Sequence, residues 1–226
     1  MSHSVLPSGV HFDEVRARLA AGLARPLPGA DAQRRLAPVP HRPWPHDFDR
    51  STIRHAAGLL LVFPIEERAH VVLTVRADTL GRHGGQVSLP GGVVEPGETI
   101  QQAALREAYE EVSVPVSLVR PLGALTPVDI PVSGFRLHPI VGEATARPVL
   151  RPSHGEVARV LEIPLSDLLA PATFIWRTLE RDGEPIAVPT FATHGTHIWG
   201  ATAMVVAEFL ALLGWTGPPT DQSHDR

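Results

Sequence analysis

Apolar residues recur at helical spacing near the start of the chain and then give way to a segment rich in proline. The helical positions, which end before Pro26, are Phe12, Val15, Leu19 and Leu23. They predict one short amphipathic helix. Six prolines in residues 26–47 interrupt regular backbone hydrogen bonding, so we expect this segment to run extended over a surface. We therefore predict an N-terminal arm over residues 1–48 and a main domain over residues 49–216.

The main domain begins with short apolar runs that are typical of β-strands. Residues 56–63 and 70–75 are two such runs, separated by a polar turn. Further strands are predicted near residues 86–90, 118–124, 135–143, 157–163, 174–179, 186–191 and 197–199. Helices are predicted over residues 99–112 and 201–213, the second apolar on most faces. This order predicts an α/β (α+β) fold in which a mixed sheet is sandwiched between helices.

Composition narrows the classes of protein that fit. The 226 residues include 43% hydrophobic and 19% charged residues, as in ordinary globular domains. A net charge of −4 offers no positive field for nucleic acid or an anionic membrane, so neither is expected as a partner. The absence of cysteine excludes a thiolate nucleophile and a disulfide framework. We expect a cytoplasmic protein with a disordered tail over residues 217–226, and a homodimer is left open.

Three glutamates share one face of the predicted helix over residues 99–112. Glu107, Glu110 and Glu111 stand at positions i, i+3 and i+4, within an arc of about 100°. The opposite face carries Leu105, Ala108 and Val112, which we expect to pack against the sheet. Tyr109 lies beside the acidic face and is predicted to be a packing residue rather than to stack on a base. A solvated acidic face is the alternative explanation for such a pattern. A hard divalent cation would offset the mutual repulsion of the carboxylates, and Mg²⁺ prefers such oxygen ligands.

The residues around this acidic face resemble a family signature. From Gly92 the pattern is G-x5-E-x7-R-E-A-x-E-E, which resembles the Nudix box at each charged position and at the first glycine. The resemblance implies that Glu107 and Glu111 are the principal metal ligands and Glu110 an auxiliary one. It also implies that Arg106 and Glu98 orient the acidic face, which completes a catalytic set of Glu107, Glu111, Arg106 and Glu98 with Mg²⁺ or Mn²⁺ as cofactor. Ser113 departs from the family glycine that follows the last glutamates, and glycine most easily ends a helix in the left-handed conformation.

A second motif precedes the Nudix box and bears on the substrate. It runs from Leu73-Thr74-x-Arg76 through Gly85-Gln86 to Leu89-Pro90-Gly91-Gly92, and it resembles the motif of the coenzyme A diphosphatase branch. The likeness extends over roughly residues 53–213. Arg76 and Arg82 are the predicted phosphate-binding cations, because a guanidinium matches phosphate oxygens bidentately. Gln86 is predicted either to bind substrate or to satisfy a strand end, and His83 is given no catalytic role.

The resemblance implies metal-dependent hydrolysis of coenzyme A to 4′-phosphopantetheine and adenosine 3′,5′-bisphosphate. Either Glu107 or a residue of a downstream loop would accept the proton from the attacking water. One alternative keeps the hydrolase and changes the substrate to ADP-ribose, NADH or an oxidised nucleotide. Another is a Nudix-fold module that binds a nucleotide or a protein without catalysis.

Overall fold

The computed structural model describes residues 10–77 and 85–218. The α-helices are α1 (Phe12–Leu23), α2 (Gly29–Gln33), α3 (Ile100–Val112), α4 (Leu165–Leu169) and α5 (Gly200–Leu212). The strands are β1 (Arg54–Ile65), β2 (Arg68–Arg76), β3 (Val87–Ser88), β4 (Gly91–Val93), β5 (Arg120–Ala124), β6 (Val128–Ile130), β7 (Phe135–Glu143), β8 (Val157–Pro164), β9 (Phe174–Arg181), β10 (Glu184–Thr193) and β11 (Thr196–Ile198). Short 3₁₀ turns lie between some of these elements.

The strands form two sheets in this part of the chain. The larger sheet has the order β3-β2-β1-β7-β5, and β4, β6 and β8 pair with β1, β7 and β2 respectively. β1 and β7 are parallel over a register that runs from Arg54 opposite Phe135 to Val62 opposite Glu143. The other pairs are antiparallel, and β11-β10-β9 form a separate antiparallel sheet. The predicted mixed sheet is therefore confirmed.

Both faces of the larger sheet are covered by other elements. Side chains alternate between the two faces along β1, so this strand contributes to the core on each side. Leu59, Leu61 and Phe63 are buried in the core that includes the apolar face of α3. Leu60 and Val62 are buried on the other side, in a core with residues of α1 and α5. The predicted sandwich of helices about a mixed sheet is thus the observed arrangement, in which α3 packs against β1.

The N-terminal arm differs from the prediction. α1 buries Phe12, Val15 and Leu19 in the main core, as expected of an amphipathic helix. The proline-rich segment is not simply extended over a surface, because it contains α2 and a 3₁₀ turn at Arg34–Leu36 in which Leu36 is completely buried. The prolines of this segment flank these short helical turns, which need few consecutive backbone hydrogen bonds.

The predicted helices and strands of the main domain are otherwise found, with shifted ends. The strand predicted over residues 86–90 is only the two residues of β3, whereas β4, β6 and α4 had no predicted counterpart. These three elements have five residues or fewer, too short to show a period of 2 or 3.6. No helix within the described residues is long and apolar enough to cross a membrane. Most of the predicted tail, residues 219–226, lies outside them.

Candidate active site

α3 begins and ends with defined local interactions. Thr99 caps the first turn, because its hydroxyl accepts a hydrogen bond from Gln102 N at 3.2 Å and its own N–H donates to Gln102 Oε1 at 2.8 Å. Ser113 ends the helix with φ 61° and ψ 26°, the left-handed conformation that glycine usually supplies. The exit turn therefore persists although the family glycine is absent, and the acidic face keeps its position.

The apolar side of α3 holds this helix against the sheet. Leu105, Ala108 and Val112 are buried, as predicted from their spacing. The prediction for Tyr109 was wrong, because its side chain is exposed rather than packed. The wrong prediction has a simple cause: an aromatic residue at the margin of an amphipathic face carries no periodic signal that separates burial from exposure. The rotation of α3 about its axis is thus fixed by the three buried residues.

Glu111 is a buried carboxylate on the side of α3 that faces the β-strand glycines. Only 7% of the residue is exposed, and its Oε2 accepts a hydrogen bond from Gly91 N at 3.0 Å. Burial raises the pKa of Glu111 to about 7, against the opposing effect of this hydrogen bond, and the charge of Glu107 raises it further. Burial of the charged carboxylate therefore costs free energy, and a bound cation would remove that cost.

Glu107 lies one turn before Glu111 and packs against the backbone of β4. A Cβ at Gly92 would stand 2.4 Å from Glu107 Oε1, so only glycine permits this approach. Burial raises the pKa of Glu107 above its ordinary value, although Arg106 opposes the shift. The backbone of β4 at Gly92 therefore lies directly against this carboxylate.

Arg106 ties the acidic face to the loop that precedes α3. Its Nε and NH2 atoms donate to the two carboxylate oxygens of Glu98 at 3.1 and 2.8 Å. Its NH1 atom donates to Glu107 Oε1 at 2.9 Å and to Glu110 Oε2 at 3.1 Å. The same contacts lower the pKa of Glu98 and raise that of Arg106. These contacts restrain the orientation of Glu107, and the supporting role of Arg106 and Glu98 stays a prediction.

Glu107 and Glu111 line one open cleft of about 930 Å³, which has the size of a site for a small organic ligand. Arg76, at the end of β2, and Gln86, just before β3, line the same cleft. Glu110 is not among the lining residues, and its half-exposed side chain pairs with Arg106 at the outer edge of the helix. The structure thus brings together four of the predicted residues.

Two predicted features cannot be placed. Arg82, a predicted phosphate-binding residue, and His83 lie in residues 78–84, outside the described part of the chain.

Glu156 was missed by the sequence reasoning. It lines the cleft, and its negative charge contributes to the raised pKa values of both Glu107 and Glu111. The loop before β8 brings it there, because Ser153 N donates to Glu111 O at 2.8 Å and Ala77 N donates to Glu156 O at 2.9 Å. A single glutamate in a turn after Gly155 carries no spacing signal. A carboxylate from outside α3 therefore completes the acidic end of the cleft.

The donor set at this end of the cleft fits a hard divalent cation. Within residues 10–77 and 85–218, no group of three His, Asp or Glu side chains is already arranged to hold a metal ion. Mg²⁺, however, is typically held by one or two carboxylates together with waters and substrate phosphates. Glu107 and Glu111 supply two carboxylates in one cleft, and burial raises the pKa of each above its ordinary value. A bound cation would stabilise both in the charged form.

Comparison with known sequences agrees with this geometry. A sequence model described as the NUDIX domain matches residues 53–179 of this chain. A protein of Yersinia enterocolitica named "Uncharacterized Nudix hydrolase NudL" is 36% identical over 166 residues, which cover 73% of this chain and 84% of the relative. A protein of Escherichia coli O6:H1 with the same name is 36% identical over 170 residues, covering 74% and 88% respectively.

Solved structures of Nudix proteins also align with this chain. RenU, a Nudix hydrolase of M. smegmatis, aligns with a TM-score of 0.41 and 23% identity over 57% of this chain and 78% of its own. An Ap4A hydrolase of C. elegans aligns with a TM-score of 0.44 and 20% identity, over 52% and 84%. Because the domain match spans more than half of the chain and the two NudL relatives each cover more than two thirds of it, this protein belongs to the Nudix hydrolase family.

Proposed function

We propose that this protein hydrolyses the diphosphate bond of coenzyme A, or of its derivatives, with Mg²⁺ or Mn²⁺ as cofactor. The products are 4′-phosphopantetheine and adenosine 3′,5′-bisphosphate. Nudix hydrolases generally act on nucleotide derivatives with a divalent cation, so the family supports the reaction class. The choice of coenzyme A follows from the resemblance of residues 73–92 to the motif of one branch of the family.

One observation carries the proposal: the motif residues and the acidic residues line the same cleft. Arg76 and Gln86, from the upstream motif, stand in the wall that also holds Glu107 and Glu111. The charge of Arg76 acts on Glu111 and lowers its pKa against the effect of burial. A diphosphate placed between Arg76 and the carboxylates would therefore be held from both sides, by a guanidinium and by the cation site.

The residues of the site have different roles in the proposed reaction. Glu107 and Glu111 would hold the cation, and Arg106 restrains the orientation of Glu107. Glu110, which pairs with Arg106 outside the cleft lining, would serve only as an auxiliary ligand. A cation held there would supply charge neutralisation for the diphosphate and activation of the attacking water. Arg76 orients the phosphate for in-line attack, which is mainly a matter of positioning. Glu156 is the downstream-loop carboxylate that accepts the proton of the water, because it lines the cleft without belonging to the helix.

The bonds that form and break in the proposed reaction predict where an oxygen label from water appears. Water adds its oxygen to one phosphorus, the bridging P–O bond breaks, and the proton passes to the acceptor carboxylate. Incubation with coenzyme A and Mg²⁺ in ¹⁸O-labelled water, followed by mass spectrometry, should give both products with the label in one of them. Glu111→Gln is the matched control and should give no products.

A panel of substrates separates this proposal from its alternatives. Rates on coenzyme A, ADP-ribose, NADH and an oxidised nucleoside triphosphate should rank coenzyme A first. If coenzyme A ranks last, the substrate assignment is wrong while the hydrolase assignment stands. If none of the compounds is hydrolysed with either Mg²⁺ or Mn²⁺, yet one binds tightly, the protein is a binding module instead.

A further inference from the structure

Two histidine side chains meet on the larger sheet outside the cleft. His55 lies in β1 and His138 in the parallel neighbour β7, where the direct cross-strand partner of His55 is Arg136. Side chains alternate along a strand, so both histidines stand on the face that carries Leu59 and Ile140, against which α3 packs. Neither histidine lines the cleft or belongs to the Nudix box. The proposed hydrolysis therefore leaves this pair without a role.

The two imidazole rings bring one nitrogen atom each into close contact. His55 Nδ1 lies 2.8 Å from His138 Nε2, and the ring centroids are 5.0 Å apart. Metal–imidazole bonds are about 2.0–2.1 Å long, so two nitrogens at adjacent corners of a square-planar ion are about 2.8–3.0 Å apart. Tetrahedral coordination would need a separation of roughly 3.3 Å. The observed distance therefore fits the tetragonal geometry of Cu²⁺ or Ni²⁺ better than the tetrahedral geometry of Zn²⁺.

At least one of the two rings must be neutral. Imidazole nitrogens at 2.8 Å form a hydrogen bond only when one of them lacks a proton and acts as the acceptor. Burial lowers the pKa of His138, and the charges of His55 and Arg136 lower it further, which favours the neutral ring. The nitrogen without a proton keeps the lone pair that a metal ion binds.

The surroundings of the pair are compatible with a bound cation. Arg136 is neutralised by Asp129, whose Oδ1 and Oδ2 accept hydrogen bonds from its Nε and NH2 atoms at 2.6 and 3.2 Å. His55 is exposed, and the torsion that rotates an imidazole ring has broad minima, so this ring can turn its lone pair towards an ion. No third His, Asp or Glu side chain in residues 10–77 and 85–218 completes a ligand set, so water would fill the remaining positions.

We propose that His55 and His138 form a second metal site, which binds Cu²⁺ or Ni²⁺ and is separate from the proposed Mg²⁺ site on α3. Ligand chemistry distinguishes the two sites, because imidazole nitrogens suit Cu²⁺ and Ni²⁺ whereas Mg²⁺ takes oxygen ligands. An ion at this site joins β1 to β7 through side chains as well as through the backbone. It therefore stabilises the folded protein by mass action, since the unfolded chain does not hold the two rings together.

Copper titration of the full-length protein tests this site. Every protein in the test carries His3→Gln, because a histidine at the third position binds Cu²⁺ together with the backbone nitrogens before it. Pulsed EPR with one equivalent of Cu²⁺ should show two bound imidazoles, and the Tm should rise with Cu²⁺ concentration. His55→Gln should lower Cu²⁺ affinity by at least about tenfold, since the loss of a ligand costs more than the loss of a group that only orients one.

Two matched variants localise the effect. His194→Gln removes another exposed histidine, whose Nε2 contacts Asp167 Oδ2 instead of a second imidazole, and it should leave the affinity and the EPR spectrum unchanged. Glu111→Gln should also keep this Cu²⁺ site, so failure of the proposed hydrolysis and failure of the second site are distinguishable. An EPR spectrum with a single imidazole would overturn the proposal without the need for a variant. Undiminished Cu²⁺ affinity in His55→Gln, or an equal loss in His194→Gln, would overturn it as well.

Discussion

Two buried glutamates in this protein illustrate opposite uses of a carboxylate. Glu208, in the apolar helix α5, is fully buried and accepts hydrogen bonds from Gly29 N, Gln33 Nε2, and the N–H and hydroxyl of Thr126, at 2.8–3.3 Å. Glu111, in α3, is almost as buried, but within residues 10–77 and 85–218 it accepts only the hydrogen bond from Gly91. Burial alone therefore does not identify a functional carboxylate.

The two sites differ in the number of hydrogen-bond donors that the protein places around the carboxylate. Glu208 joins α2 and the segment before β6 to α5, so its charge is compensated by the fold itself. Glu111 faces the negative charges of Glu107 and Glu156, and its pKa is raised. A carboxylate that is buried with few hydrogen-bond donors is stabilised in its charged form when a cation binds. Such carboxylates are grouped at one end of the cleft.

The largest expected effect is on turnover. Glu111→Gln keeps the shape of the side chain and deletes its charge, so Mg²⁺-dependent hydrolysis should fall by at least about 10³-fold, since the cation contributes several kcal/mol to the transition state. Steady-state rates, with circular dichroism to confirm folding, measure this. Near-normal hydrolysis in the variant would contradict the site assignment and break the comparison with Glu208.

The second effect is on stability. Glu208→Ala should lower the free energy of unfolding by about 3 kcal/mol, because it leaves the donors of Gly29, Gln33 and Thr126 buried without an acceptor. Urea unfolding measures the loss, and kcat per folded molecule should stay within a few-fold of wild type. A loss below about 0.5 kcal/mol, typical of surface substitutions, would show that Glu208 is not the structural counterpart of Glu111.

The third effect is a pH dependence of stability in the metal-free protein. Folded Glu111 holds its proton up to about pH 7, whereas in the unfolded chain it loses the proton near the ordinary value of 4.5. The stabilisation from this group is therefore fully present below pH 4.5 and is lost as the pH rises to 7, by an amount on the order of 3 kcal/mol.

Urea unfolding in EDTA at pH 5 and pH 7.5 measures this dependence. Glu111→Gln should remove this contribution from the slope of the free energy of unfolding against pH, and Glu208→Gln should retain it. An unchanged slope in Glu111→Gln would show that burial does not perturb this carboxylate.

A smaller effect is expected at Arg106, which positions Glu107 rather than touching the substrate. Arg106→Lys keeps one positive charge but loses the bidentate contact with Glu98. We expect about a tenfold fall in activity, the size typical of groups that orient metal ligands, with a matching fall in Mn²⁺ affinity. Rates and Mn²⁺ titration measure both. A change in activity without a change in Mn²⁺ affinity would assign Arg106 to the substrate instead.

The smallest effect is expected at the end of α3. Ser113 adopts φ 61°, a conformation that costs an L-residue roughly 1–2 kcal/mol relative to glycine. Ser113→Gly should therefore raise the free energy of unfolding by about 0.5–1 kcal/mol, after the extra chain entropy of glycine is subtracted. Urea unfolding measures the gain. A destabilised variant would mean that the 3.4 Å contact from Ser113 Oγ to Arg151 O matters more than the backbone conformation.

Periodic features of the chain could be predicted from the sequence, and isolated ones could not. The spacing of Leu105, Ala108 and Val112 predicted the buried face of α3, and the glutamates between them followed from the same geometry. Glu156 reaches the cleft through a loop, and the four donors of Glu208 come from distant segments, so neither position has a local signal.

The arm shows the same limit. Its prolines indicated an extended chain, yet tertiary packing stabilises short helical turns in it and brings Arg42 to Asp182. Contacts of this kind join residues far apart in sequence, and their energies depend on the fold rather than on local propensity. The division into arm and domain, the metal ligands and the role of Glu110 stay predictions.

Anomalous diffraction from crystals soaked in Mn²⁺ tests the central claim most directly, because it shows which carboxylates hold the cation. The account predicts a manganese peak in the cleft bonded to carboxylate oxygens of Glu107 and Glu111, with no peak at Glu208. Crystals of active protein that bind manganese elsewhere, with none at Glu107 or Glu111, would contradict it.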